Sequence, residues 1–387
     1  MVIEALLTLL LFLCCLFLRA KHNENSSSKL YWKKNKRNTA ILSLCEKLKA
    51  GYQPTLWATN SHIQTILGCL GHFFNHRFQF KTEYIQMRDG GTISLQWYVE
   101  SEARDIKSAR SNTDPILIIS TWALGPDVYS ICEASYKEGF QPVVYNSRGH
   151  NVPLTTRQFA AFLDADDFKE ALDYIHNVSP FSDLFAVGYS LGAGPIFSYL
   201  GKRGKSSLIT AAVFVSSSLD LEMVLTSGLK KPYKEVVNQY YKKLVRESTC
   251  MHFREKQGDH DTDGSLHDIL QLSHWDTSPY DGFSEWMKIN NPMTFIRNIR
   301  TPALFINSLD DPVLDDKIPA YVVLRNNPYC LEVVTDTGGH CGFLEGFFAS
   351  PWTDSVALEF CNAVGRCRSL IISPVKNGFT RLRSVTR

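Results

Sequence analysis

Leu184-Phe185-Ala186-Val187-Gly188-Tyr189-Ser190-Leu191-Gly192 is the stretch on which the fold of this chain turns. Four apolar residues without alternation predict a short buried strand. The Gly-x-Ser-x-Gly that follows predicts a nucleophile elbow, a strained turn from strand to helix that leaves the serine hydroxyl at the strand tip. Glycines two before and two after the serine leave room for the next helix to pack close. Such a turn points the Leu191 N–H into the space where a substrate oxyanion would sit, beside Ser190.

A serine hydroxyl is nearly inert at neutral pH, so the chain must supply a base and an acid. Pro302-Ala303-Leu304-Phe305-Ile306 predicts a second buried strand, ending in Asn307-Ser308-Leu309-Asp310-Asp311-Pro312. Leu331 to Val334 predicts a third, leading to Gly338-Gly339-His340. Asp311 is the better acid candidate because it directly precedes Pro312 at a strand end, which leaves Asp310 to cap or to face solvent. His340 follows a glycine pair at the tip of the last predicted strand, a placement that favours catalysis over a satisfied core histidine. The order Ser190, Asp311, His340 is that of α/β-hydrolases, not of chymotrypsin or subtilisin.

The chain has 387 residues, 44% hydrophobic and 21% charged, enough for one large α/β domain with additions. A net charge of only +2 gives no footprint for nucleic acid. No Cys/His cluster has zinc-ligand spacing, so no metal or other cofactor is expected. Ten cysteines are scattered without a C-x-x-C, which predicts reduced thiols and not a secreted disulfide framework.

Met1 to Leu18 is apolar except for Glu4 and Thr8, and Arg19, Lys21, Lys33, Lys34, Lys36 and Arg37 follow. Residues 1–19 are therefore expected to anchor the chain in a membrane as a single pass, roughly 27 Å long as a helix. A cleaved signal peptide is disfavoured by the missing basic start and the poor cleavage site. The trailing positive charges place the remaining domain in the cytosol by the positive-inside rule, and an internal membrane such as the endoplasmic reticulum is compatible. Residues 20–47 read as a basic linker, 48–368 as the folded domain and 369–387 as a tail.

Within the domain, Tyr84 to Tyr98 alternates around Asp89-Gly90-Gly91, a β-hairpin pattern. Continuous apolar runs then recur at 116–119, 143–145, 184–187, 211–215, 303–306 and 331–334, separated by helical stretches such as 167–175. Strands of this kind belong to a mostly parallel sheet covered on both faces, with active residues at its carboxyl edge. Residues 219–300 break the rhythm and contain Tyr240-Tyr241 and an aromatic-rich piece around Trp275 and Trp286. This insertion is expected to cap the site and bury an acyl chain, or else to add helices with a hydrophilic loop.

These motifs, with Tyr52 to Trp57, Asn60 to Thr65, Asn146-Ser147-Arg148-Gly149, Pro153 to Thr156 and Gly338 to Phe343, resemble the AB hydrolase 4 family over about residues 45–365. The resemblance implies an α/β-hydrolase fold and a triad of Ser190, Asp311 and His340. It also implies esterase or lipase activity on acylglycerols, phospholipids or medium-chain esters, with acyl transfer to alcohols in some relatives and commonly a lumenal domain. The partners it implies are a lipid or ester substrate and a membrane; oligomeric state stays open. Two departures stand out. The family's glycine-bearing oxyanion turn is replaced by Ser120-Thr121-Trp122-Ala123-Leu124-Gly125, so the second oxyanion donor falls to a backbone N–H such as that of Trp122. Loss of one such donor costs about a hundred- to a thousandfold in turnover, which keeps a catalytically weak ligand-binding or scaffold protein as an alternative. A His-x-x-x-x-Asp acyltransferase motif is absent, which disfavours acyl transfer to glycerophospholipid. Arg148 is expected to pair with a carboxylate among residues 164–167 and to hold structure without taking part in chemistry.

Overall fold

Apolar residues at consecutive strand positions need cover on both faces of a sheet, and the computed structural model provides it. The structure describes residues 28–70, 78–100, 113–122, 128–156, 165–224, 229–249, 283–314 and 324–372. The expected membrane anchor, the start of the linker, the middle of the insertion and the end of the tail lie outside the described residues. Among the described residues no helix is long and apolar enough to cross a membrane, and no disulfide joins the cysteines.

Nine strands form one sheet in the order β1-β9-β8-β7-β6-β4-β5-β3-β2. They are β1 Ser28–Trp32, β2 Phe78–Gln86, β3 Thr92–Glu100, β4 Ile116–Ser120, β5 Gln141–Asn146, β6 Leu184–Tyr189, β7 Ile209–Val215, β8 Ala303–Ser308 and β9 Cys330–Thr335. From β5 across to β9 the pairing is parallel, while β2, β3 and β1 add antiparallel edges. All six apolar runs singled out in the sequence lie within β4 to β9.

Side chains alternate across a sheet, so each run feeds two cores. Leu117, Ile119, Phe185, Val187, Leu304 and Ile306 point to one layer, with α1 (Lys36–Ser43), α4 (Val128–Lys137) and α9 (Trp352–Ile372). Ile116, Ile118, Leu184, Ala186, Phe214 and Phe305 point to the other, with α5 (Ala165–Val178) and α6 (Ala193–Arg203). Two short helices, α2 (Glu46–Ala50) and α3 (Ser61–Leu70), follow α1, and two more, α7 (Tyr233–Arg246) and α8 (Phe283–Asn290), come from the insertion.

The strand order reverses at β4, whose neighbours are β5 on one side and β6 on the other. A crevice opens at the carboxyl ends of strands at such a switch point. The chain leaves β4 at Thr121-Trp122 and β6 at Ser190, so these segments meet there.

The basic stretch expected to be a linker is part of the domain from Ser28 onward. Ser28–Trp32 pairs antiparallel with β9, and α1 buries Ile41 and Leu42. The run Lys33, Lys34, Lys36 and Arg37 masked these short apolar signals. Its charges fall in the connection after the edge strand, at Lys33 and Lys34, and at the helix start, at Lys36 and Arg37.

The hairpin forms as expected, with Gly90 left-handed at φ +87°. Its next residue has a different reason to be glycine: a Cβ at Gly91 would lie 2.2 Å from the Arg148 guanidinium. Arg148 pairs with Asp167 (Nε to Oδ2 2.5 Å, Nη2 to Oδ1 2.6 Å) and with Asp89 (Nη1 to Oδ2 2.5 Å, Nη2 to Oδ1 2.9 Å). The expected pairing with the 164–167 segment is thus realised at Asp167, and the hairpin is clamped to α5. Burial works against charge on Asp89, yet Arg148 and the Gly91 N–H hold its carboxyl below the ordinary value.

With Arg148 and Asp167 side chains only 4% and 6% exposed, Arg148→Met leaves a buried carboxylate without its cation. Urea unfolding should show a loss of about 3–5 kcal/mol. A loss below about 1 kcal/mol, the level of a surface pair, would show that the clamp does not hold the domain.

Candidate active site

Ser190 sits in the left-handed region at φ +52°, where a non-glycine residue is strained. Close packing compels this. A Cβ at Gly188 would lie 2.6 Å from Ala193 Cα, and one at Gly192 would lie 2.6 Å from Thr121 Cα. The first glycine lets α6 turn back against β6, and the second lets the elbow press on the tip of β4. The elbow and the end of β4 thereby meet at one point.

His340 is fully buried, and its Nε2 lies 2.7 Å from Ser190 Oγ. Its Nδ1 lies 2.8 Å from Asp311 Oδ2. With Nδ1–H donating to the carboxylate, Nε2 is left as the acceptor of the serine proton. Asp311 Oδ1 accepts from the Val313 and Leu314 N–H groups at 2.8 and 3.0 Å, which fixes the carboxylate plane. Burial pulls the His340 pKa down, but the Asp311 charge outweighs it and holds the imidazole well above its ordinary 6.5.

The loop carrying His340 has little freedom. Gly339, Cys341 and Phe343 all have positive φ, at 64°, 62° and 44°. A Cβ at Gly339 would meet Ser61 O at 2.4 Å, and one at Gly342 would meet Gln64 O at 2.5 Å, so the loop lies directly on α3. The His340 N–H donates to Thr65 Oγ1 at 2.9 Å, the Cys341 N–H to Ser216 Oγ at 2.9 Å and the Gly339 N–H to Asp310 Oδ1 at 3.0 Å. Asp310 therefore caps the histidine loop while Asp311 meets the imidazole. Of the two alternatives the sequence left for Asp310, capping and facing solvent, the first is realised, whereas sequence reasoning gave no positioning role to Thr65 or Ser216. The Asn60 to Thr65 motif was the available signal, but nothing in the chain order links it to a histidine so far downstream.

Trp122 is buried, and its ring lies 4.4 Å from His150 and 5.1 Å from Tyr241 of α7. Burial lowers the His150 pKa to about 4, so this imidazole stays neutral beneath the tryptophan. Residues of the insertion complete a third apolar cluster with Trp122, including Leu229, Tyr233, Val237 and Trp286, together with Val313 and Leu314 beside the acid. The cavity left over Ser190, lined by Trp122, Leu191, Leu229, Val237 and Tyr241, measures only about 10 Å³. That holds one water at most. Among the described residues no group of three or more His, Cys, Asp or Glu side chains is placed to hold a metal ion.

The arrangement can move a proton from Ser190 to His340 and stabilise the imidazolium at Asp311. It has the parts for acyl transfer through a covalent intermediate.

A family model for the alpha/beta hydrolase fold matches residues 114–347. Human protein ABHD15 is 30% identical over 332 residues, spanning 82% of this chain and 69% of its own length. Human phospholipase ABHD3 is 26% identical over 335 residues, 83% of this chain and 80% of its own length. Human monoacylglycerol lipase ABHD2 is 24% identical over 376 residues, 87% and 85% respectively.

Proton removal by a neutral His340 requires a pH above its pKa, so with that pKa raised the acid limb of any acyl transfer should lie above pH 6.5. Asp311→Asn removes the carboxylate that raises it; the limb should move to lower pH and turnover fall by about 10⁴-fold. A pH–rate profile in which the limb stays fixed would remove Asp311 from this role.

Proposed function

The chain belongs to the alpha/beta hydrolase fold family, and from that membership and the site geometry we propose that it is a serine hydrolase cleaving carboxylic esters of lipids, acylglycerols or phospholipids. The observation that carries the reading is His340 spanning Ser190 Oγ and Asp311 at 2.7 and 2.8 Å. Ser190 attacks the acyl carbonyl while His340 takes its proton, and the Leu191 and Trp122 N–H groups hold the oxyanion. His340 then protonates the departing alkoxide. Water, deprotonated by the same imidazole, releases the fatty acid and restores Ser190.

Three features support a lipid over a small polar ester. Two relatives carry lipase names, phospholipase ABHD3 and monoacylglycerol lipase ABHD2. The ceiling of the site is apolar, and the described part of the insertion, from Leu229 to Val245 with Trp286, acts as a cap that must part before an acyl chain enters a space of about 10 Å³. Ile63, Ile66 and Leu70 on the outer face of α3, with Trp57, Phe347 and Phe348, are exposed beside the histidine loop. We assign this apolar surface to contact with a bilayer. The Trp57 indole N–H donates to Phe347 O at 2.9 Å, which joins the two segments. The Tyr52 N–H donates to Ser28 Oγ at 2.9 Å, so the chain leaving β1 toward the apolar segment 1–19 starts on this side. Residues 19–27 span at most roughly 30 Å, short enough to hold the site at the surface of the membrane in which residues 1–19 anchor it.

Purified full-length protein should release free fatty acid from acylglycerol or phospholipid in mixed micelles, and Ser190→Ala should release none. Equal release by both, or none from any such ester, would overturn the reading. Ile66→Lys combined with Phe348→Lys should slow hydrolysis of esters in phosphatidylcholine vesicles about tenfold or more and spare a water-soluble short-chain ester. An equal fall on both substrates would make the surface structural.

A further inference from the structure

At the amino ends of the parallel strands, the edge opposite Ser190, lies a cavity of about 390 Å³. Its walls come from the start of β7, from Pro302 just before β8 and from Tyr329 just before β9. Four cations line it: Arg37, Lys205, Arg300 and Arg368. Among the described residues one carboxylate answers them, since Arg368 Nη1 donates to Asp183 Oδ1 at 2.6 Å. Among the same residues none pairs with Arg37, Lys205 or Arg300.

The two unpaired arginines are nevertheless held in place. Arg37 Cζ lies 3.8 Å above the Tyr329 ring centroid, and Arg300 Cζ lies 5.8 Å from the same centroid. Arg37 Nη2 donates to Pro328 O at 2.5 Å and Nε to Asn38 Oδ1 at 3.3 Å, leaving Nη1 uncommitted. Arg300 Nη1 donates to Arg297 O and Ile299 O at 2.7 and 2.9 Å, leaving Nε and Nη2. Carbonyl and amide acceptors orient a guanidinium without neutralising it. Two fixed forks and an exposed lysine around one concavity concentrate positive potential there. Its lining includes the buried apolar residues Ile41, Ile209 and Val364. The chain's own tail beyond the described residues, 373–387, carries four Lys or Arg and no Asp or Glu side chain, so its side chains bring no counter-charge.

We infer that this cavity is a second binding site, separate from Ser190, for a single-tailed amphiphilic anion. Its carboxylate or phosphate head meets Arg37, Arg300 and Lys205, and its alkyl stem lies over Ile41, Ile209 and Val364. Planar guanidinium forks suit both heads. The site does not depend on the chemistry at Ser190, and its ligand class includes the fatty acid that an ester hydrolase liberates.

Calorimetric titration of the full-length protein with octyl phosphate, octanoate, inorganic phosphate and neutral octyl glucoside tests this. Saturable binding of octyl phosphate or octanoate is expected, weakened about tenfold by Arg300→Gln and by Lys205→Glu and unchanged in Ser190→Ala. Binding of one anion and not the other identifies the head group. Lys205 is exposed, so its variant reports even if Arg300→Gln does not fold. The inference fails if neither amphiphile binds saturably or if both cationic-site variants bind like the parent. It also fails if octyl glucoside or inorganic phosphate binds as tightly as octyl phosphate.

Discussion

Contact between the elbow and the tip of β4, closed to 2.6 Å at the place where a Gly192 side chain would begin, is the constraint on which the site depends. It requires glycine on both sides of Ser190 and accepts a serine at φ +52°. In return it brings two strands of different sequence position to one point at the switch of the sheet. Strain of this kind costs on the order of 1–3 kcal/mol and persists because both partners are backbone in a buried layer that has no looser packing to relax into. The Ser190 hydroxyl is thereby fixed beside the tip of β4 before any substrate arrives, the kind of preorganisation that electrostatic catalysis needs.

A second constraint acts from the far side. The histidine loop is pressed on α3 by glycines with no room for a Cβ and tied by N–H bonds to Thr65, Ser216 and Asp310. Two adjacent aspartates divide the work, one holding the loop backbone and the other the imidazole. The cation clamp at Arg148 stands outside this machinery, joining the hairpin to α5, and its partners explain why a glycine follows Gly90. The departure at Trp122 gains a physical meaning as well: the bulky ring ties the tip of β4 to the insertion through Tyr241, so the site is closed as it stands.

Much of this was legible in the sequence, where the period of the pattern carries the information. Continuous apolar runs predicted β4 to β9, because strands buried on both faces cannot alternate. Ser190, Asp311 and His340 were legible from motif and chain order, and Asp311 over Asp310 from the following proline. The strand at Ser28–Trp32 and the helix behind it were not, since five residues of edge strand among lysines lack the contrast that a buried run has. Thr65 and Ser216 were illegible for another reason. A hydroxyl that accepts one backbone N–H leaves no pattern in a sequence, and its partner lies 275 residues away in the case of Thr65 and His340. The basic cavity escaped for the same reason, its four cations being drawn from separate segments.

The central claim is that Ser190, His340 and Asp311 act as one unit. Mass spectrometry of the full-length protein after reaction with a fluorophosphonate tests it most directly, because the probe reacts with an activated serine whatever the natural ester is. The account predicts one adduct per chain, on the peptide containing Ser190, and no adduct when His340 is replaced by alanine. An intact protein that stays unlabelled, or that labels equally well without His340, would contradict it.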